Sequence, residues 1–419
     1  MRRSLVLRHG RRRGSTYLVV CGMCLLVATI ALGALSAVRA RARAAKARND
    51  ALEARLYALA ATEVARIRIA HDTTWRSDYA NGTWFTNESI GRGTYSLSVV
   101  DPNGPLNGSP TDPVILTGTG AVGQALQTTQ VTLVAKSTPY TCLNAAVTAG
   151  GFIGIGNSII QANNQTLATN FAAWAFGAVV NGNVEAANSI FGFTYNGTTK
   201  TSVAARTLPD ATVFSDYQTS GTAINYNSIP SNNIQQVLLS PSINPYGATN
   251  ANGIYVVDCQ GGNMNIQQCR IVGTLVLLNA GNVQIQNQVV WSPAVANYPC
   301  LLIDGDLTVN SNGNYLTEGG GENYNPPGTP YPYPSGFSNM TTTDTYVPAV
   351  QGMVYLAGNL TVQGNVFAAN LLVVGGSLSM AGGATLYMSY DPIYYNNPPP
   401  GFGTVSMVVS PGSWQQVTH

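Results

Sequence analysis

Charge and histidine are both scarce in this 419-residue chain. Lys and Arg number 20 and Asp and Glu 18, and the three histidines (His9, His71, His419) lie far apart. With no histidine between residues 72 and 418, neither a Ser/His arrangement nor a histidine-liganded metal is available to the bulk of the chain. The four cysteines beyond residue 40 (Cys142, Cys259, Cys269, Cys300) form no CxxC pair, which removes the usual zinc spacing. Basic residues nearly vanish after Gly93, where four face twelve acidic ones. A nucleic-acid partner is thereby excluded, because counterion release needs a basic face. No cofactor or metal is expected.

What is present is distributed unevenly. Residues 1–48 carry eleven Lys and Arg and no acid, split around an uncharged apolar run at 17–38. As a helix that run is about 33 Å long, enough to cross a hydrocarbon core. Six cations precede it and five follow it (Arg39, Arg41, Arg43, Lys46, Arg48). The positive-inside rule and the Lys-poor, Asn- and Thr-rich remainder together give a single-pass membrane protein, N-terminus cytoplasmic, C-terminal region extracytoplasmic or at the cell surface. A cleavable secretory signal would have a shorter apolar run ending in small residues, whereas this one leads into Arg39. Cys21 and Cys24 lie inside the run behind Val20 and Met23, not the small residue that a lipoprotein site wants.

The helical pattern continues past the membrane. Residues 40–70 contain no Gly or Pro and are dense in Ala, Arg, Leu and Glu. Leu52, Leu56, Leu59 and Ile67 fall close to one face at helical spacing, so this half of the helix is amphipathic. After His71 the texture turns to short β-rich segments at 83–86, 94–100, 114–117 and 130–134, separated by turn formers such as Asp101-Pro102-Asn103-Gly104.

A basic leader, a glycine, an apolar helix running on as an amphipathic one and then a small sheet resemble a type IV pilin or minor pseudopilin. The resemblance covers about the first third of the chain. It implies cleavage by a prepilin peptidase after Gly14, leaving Ser15 as the new N-terminus, and packing against other pilin-like subunits through the helix. Two positions depart from it: Val19 stands where major pilins place Glu, and Ser15 where Phe or Met is commonest.

From Cys142 onward, short apolar bursts are set in Gly and Asn. Residues 271–277, 303–309, 356–362 and 374–380 share the pattern apolar-x-Gly-x-Leu-x-apolar, and 180–186 is a weaker copy with Val184 for Leu. No such burst buries its apolar face alone, so the rungs must stack, and rungs of about 18–20 residues indicate a parallel β-helix, expected to be right-handed. The texture also resembles bactofilin-like and other surface β-solenoids. The predicted fold is therefore mainly β: a basic leader (1–14), a long helix (15–71, transmembrane at 17–38), a small antiparallel sheet (72–136) completing a pilin-like α+β stem, and a β-helix (137–419). Insertions fall near 207–229, as a crossover, and near 315–349, where the proline-rich run 326–335 cannot supply a ladder.

Candidate sites are few. Asp304 and Asp306 alternate on one strand about 7 Å apart, within the range that a pair of inverting-hydrolase carboxylates needs, but outward-facing positions explain the pair without chemistry. Asp258 and Arg270 are a candidate salt bridge on adjacent rungs. Glu318-Gly-Gly-Gly-Glu322 reads as a flexible acidic loop rather than a calcium loop. Gly150 to Gly156 is glycine-rich but lacks the strand–helix context of a nucleotide site. Cys259 and Cys269 are a candidate disulfide, with connectivity open. Tyrosines crowd the last quarter, and Tyr331, Tyr333, Tyr394 and Tyr395 are candidate contacts for a glycan or protein surface. The sequence thus reads as a membrane-anchored structural or adhesive protein and not an enzyme; the alternative is a membrane-tethered polysaccharide lyase or hydrolase.

Overall fold

The computed structural model describes residues 13–109, 111–192, 194–328, 338–364 and 366–417. The chain forms two compact units, one of residues up to Lys136 together with those from Val405, the other of Ser137–Thr404. The return of the C-terminus to the first unit corrects the assignment of everything after residue 137 to the β-helix.

In the first unit a single helix, α1 (Arg13–His71), runs 59 residues, about 89 Å at 1.5 Å per residue. An antiparallel sheet follows in the order β1 (Gly82–Ile90), β2 (Gly93–Val100), β3 (Val114–Val122), β4 (Ala125–Pro139). The C-terminal strands Gly403–Val409 and Gln415–Val417 both pair with β4. The helix face that meets the sheet is not the leucine face. Ala54, Ala58, Ala61 and Ala65 are fully buried, whereas Leu52, Leu56 and Ile67 are more than half exposed. The physical reason lies in β3, whose inward residues include Gly118 and Gly120. A methyl on Gly118 would overlap the Ala58 carbonyl oxygen, and one on Gly120 the Ala54 carbonyl oxygen. Helix and strand approach backbone to backbone, and only small residues fit between them. Leu97, Val99, Leu116, Val131 and Leu133 close the core below, with Trp75 and Ile69.

The second unit is a parallel solenoid of three-sided coils, collected into one 22-stranded sheet. Its coils do not stack in chain order. Residues 147–201 wind away from the middle of the stack. The chain then passes through residues 203–221, which include the helix Val213–Ser220, to the far end of the stack. From residue 222 it winds back, until its last coil docks on its first: Leu372 pairs with Val147, Leu378 with Ile153 and Leu386 with Ile160. Both neighbours of the 147–161 coil are thus satisfied, one by the chain that follows it and one by residues more than 200 positions away.

The stacking sorts the repeats. Leu307, Leu360 and Leu378 lie in register, continued by Ile153, Ala173 and Ile190. The glycine-rich Gly150 to Gly156 segment is therefore another rung of the same series. The copy at 271–277 and the weaker one at 180–186 turn a different corner, because Leu275 and Val184 align with the column of Leu301, Leu372, Val147 and Leu167. Glycine is needed at the corner because successive coils touch there. A methyl on Gly358 would come within 2.5 Å of the Gly305 carbonyl oxygen, and one on Gly376 within 2.7 Å of that of Gly358.

One face of the solenoid is covered. Strands such as Ile254–Asp258, Thr274–Leu278 and Leu301–Ile303 are buried on both sides almost throughout. Their outward residues Val256, Val276, Leu302, Met353, Tyr355 and Val373 pack under Phe214 and Tyr217 of the Val213–Ser220 helix and under Tyr394 and Phe402.

Candidate binding and anchoring surfaces

The candidate anchoring surface is the first half of α1. The helix contains a stretch long and apolar enough to cross a membrane, and that stretch is entirely unburied. Gly14 and Ser15 fall in its first turn, where only the backbone is described. The leucine-bearing face farther along (Leu52, Leu56, Ile67) is exposed as well.

Among the described residues, none covers the solenoid face turned by the Gly305, Gly358 and Gly376 corner. Its outward residues follow one another coil by coil: Asn265 and Gln267, Gln284 and Gln286, Thr308 and Asn310, Thr361 and Gln363, Ser379, Gly154 and Gly156, Trp174 and Phe176, and Phe191. None of these side chains is ionisable. The face changes along its length from amides and hydroxyls to aromatic rings, and two glycines mark the change. The Trp174 indole lies across Gly154, where a methyl would sit 3.2 Å from Cζ2. Trp174 stays 41% and Phe176 72% exposed, with their ring centroids 5.8 Å apart. At the adjoining corner Phe152 and Phe171 meet edge to face at 4.6 Å. Such a cluster of exposed rings is unusual on a face whose other residues are polar.

Of the candidate carboxylate pair, Asp306 caps the backbone of the next coil. Asp304 and Asp306 are both exposed at the corner. Asp306 Oδ1 accepts the Asn359 amide N–H at 2.7 Å, Asn359 Oδ1 accepts that of Ser377 at 3.0 Å, and Ser377 Oγ accepts that of Phe152 at 3.0 Å. A ladder of caps, one per coil, uses the side chain just before each leucine-position residue. The Asp258–Arg270 pairing is corrected: Asp258 accepts from Gln260 N and Asn279 Nδ2, while Arg270 Nη1 donates to Tyr324 O at 2.6 Å and Asn325 Oδ1 at 3.0 Å.

The acidic loop is also corrected. Glu318 is buried and accepts from Tyr324 N at 2.7 Å, Tyr346 Oη at 2.6 Å and Asp344 N at 3.0 Å. These bonds fold the excursion that leaves the solenoid after Ser311, and burial beside Glu318 pushes the Tyr346 hydroxyl far above its ordinary range.

Cys259 and Cys269 are free thiols and not a disulfide. The Met264–Gln267 side of the coil separates them, Cys259 lying at the corner before it and Cys269 on the side after it, each within the apolar core. Burial pushes the Cys259 thiol up to about 11 and that of Cys269 higher still. Of the tyrosine candidates, Tyr331 and Tyr333 lie outside the described residues. Tyr394 is buried in the cover of the closed face, and Tyr395 packs against the same cluster, so neither offers the free ring that a ligand contact requires. Counting tyrosines by position in the chain missed the aromatic patch. Its signal in the sequence was the alternation Ala173-Trp174-Ala175-Phe176, which places two large rings on the outward side of a strand.

A shallow cleft of about 570 Å³ opens beside Tyr387, Gln351 and Asn370 on the third solenoid face, without a carboxylate or a basic group in its lining. Among the described residues no group of three or more His, Cys, Asp or Glu is placed to hold a metal ion.

No protein-family model and no curated protein matches the sequence. Solved structures that are similar in part include the following three. The competence-associated pilin ComZ from Thermus thermophilus aligns at 12% identity over 88% of this chain and 97% of its own, with TM-score 0.27. An ice binding protein from an Antarctic biological consortium aligns at 13% identity over 60% of this chain and 91% of its own, with TM-score 0.31. An ice-binding protein from the Antarctic ascomycete Antarctomyces psychrotrophicus aligns at 12% identity over 59% and 97%, with TM-score 0.24.

Proposed function

We propose that this chain is a membrane-anchored surface protein with a pilin-like stem, displaying its β-helix outside the membrane as an adhesive contact element. The observation that carries the reading is the division of labour along α1. Its alanine face is consumed by its own sheet, while the apolar run and the exposed leucines beyond it are left uncovered by the described residues. A helix with a spare apolar face continuous with a membrane span suits packing against further pilin-like subunits. Gly14 and Ser15 flank the cut in this reading. Adhesion is assigned to the open solenoid face, whose uncharged groups and exposed rings suit a neutral glycan or protein surface.

N-terminal sequencing of the mature protein, with protease treatment of intact cells, tests the stem. The reading expects a chain beginning at Ser15 and a β-helix accessible from outside; a chain retaining Met1 would sink pilin-type processing.

The second reading is a polysaccharide-active enzyme using Asp304 and Asp306. Use of the Asp306 carboxylate as a backbone cap on an exposed corner counts against it. Turnover of a polysaccharide that disappears in both Asp304→Ala and Asp306→Ala would restore it.

A further inference from the structure

Just past the apolar run, α1 carries Arg39, Arg41, Arg43, Lys46 and Arg48, all exposed, before its first acid, Asp50. At helical spacing Arg39, Arg43 and Lys46 share one face and Arg41 and Arg48 the opposite one. The first set continues the line of Asp50, Ala54, Ala58, Ala61 and Ala65, the face that packs on the sheet. Above Asp50 the sheet ends in the β3–β4 hairpin. Between that hairpin and the helix lies a cavity of about 480 Å³, lined by Arg43, Lys46, Asp50, Gly123 and Gln124 among others. Asp50 is buried at its edge and accepts from Arg92 Nη2 at 3.4 Å, and Arg92 also pairs with Glu53. The two acids are thus already engaged by a third cation, which leaves the charges of Arg43 and Lys46 directed to the cavity.

We propose that this cavity binds the phosphate headgroup of an anionic glycerophospholipid in the leaflet next to the first unit. The inference rests on the reading of residues 17–38 as a membrane span. Counted from Val38 at 1.5 Å per residue, Arg43 stands about 7 Å and Lys46 about 12 Å beyond the apolar run. The headgroup layer occupies roughly the first 5–8 Å. Helical side chains lean toward the N-terminus, here toward the membrane, so both long side chains reach back to phosphate depth. A polybasic segment at this depth attracts anionic lipid, and the hairpin converts attraction into a walled site on one side of the helix only.

The test uses the full chain purified in a neutral detergent, with native mass spectrometry during titration of phosphatidylglycerol, phosphatidylcholine or inorganic phosphate. One phosphatidylglycerol is expected to be retained at concentrations where phosphatidylcholine is not. The Arg43→Gln/Lys46→Gln variant should weaken that retention about thirtyfold, the effect of two surface cations, and Arg41→Gln/Arg48→Gln only about twofold. Equal retention of both lipids, equal loss in the two variants, or competition by inorganic phosphate at matching concentration overturns the proposal. Alkaline extraction of membranes separates this from the parent reading. A wild-type chain that resists extraction but does not select phosphatidylglycerol removes the lipid site alone, and a chain that washes off removes the span and the site with it.

Discussion

Two faces of the same solenoid use one backbone pattern for opposite ends. On the covered face the outward positions are Val256, Val276, Leu302, Met353, Tyr355 and Val373, and the chain spends a helix and a C-terminal segment hiding them. On the open face the outward positions are amides, hydroxyls, glycines and finally aromatic rings, and none of the described residues hides them. Coil stacking by itself demands only the inward column. The outward column is free to be chosen, so its composition differs with each face's surroundings: the protein's own cover in one case and, in the function proposed above, an outside partner in the other.

The comparison breaks most sharply at Phe402, fully buried in the cover with its ring 5.4 Å from Tyr355. Phe402→Ala should cost about 3–5 kcal/mol through lost burial and the cavity left behind. Thermal unfolding followed by circular dichroism would read this as a lowered transition for the solenoid. A loss below about 1 kcal/mol would mean that the covered face does not need its cover.

The stem supplies a second contrast, since its tight contact depends on absent side chains rather than large ones. Gly120→Val should cost about 3 kcal/mol, because the new side chain meets the Ala54 carbonyl, which no rotamer change can move. Leu56→Ala on the opposite helix face should change stability by less than about 0.5 kcal/mol in the isolated protein. Denaturant melts of the two variants check both numbers, and a costly Leu56→Ala would show that the exposed leucine face already has a partner within the chain.

A third variant probes the excursion that interrupts the solenoid. Glu318→Gln removes the charge from three hydrogen bonds in a buried site and should cost about 2 kcal/mol. Faster proteolytic nicking between residues 312 and 348, with the remaining coils intact, would locate the damage. An unchanged nicking rate would mean that the excursion is held by other contacts.

Local periodicity carried the long helix, the small sheet and the glycine-cornered rungs into view, because each is written within about twenty residues. The order of the coils was not visible, since the pairing of Leu378 with Ile153 joins positions 225 apart and no local pattern encodes it. The helix face that packs on the sheet was not visible for a different reason. Leucine outweighs alanine on any hydrophobic scale, yet the face nearest the sheet is set by steric fit, and Gly118 and Gly120 on the inward side of β3 were the clue to it. The carboxylate pair was legible only as outward-facing residues; what long-range stacking adds is that Asp306 occupies the cap position that Asn359 and Ser377 fill in the next coils.

The smallest expected change in stability tests the contrast between faces most directly. Trp174 and Phe176 project from a strand whose inward residues, Ala173 and Ala175, already complete the core column. Removing the rings uncovers Gly154 and Gly156 but opens no cavity, so Trp174→Ala/Phe176→Ala should alter unfolding by less than about 0.5 kcal/mol. Loss of the stacking surface should nonetheless weaken adhesion to a neutral polysaccharide such as cellulose by tenfold or more, about 1.4 kcal/mol or above. A double variant that melts earlier by several degrees would place the rings among the supports of the fold. One that is stable and still binds cellulose as the wild type does would move the contact elsewhere on the open face, to the ranks of Thr308, Thr361 and Ser379.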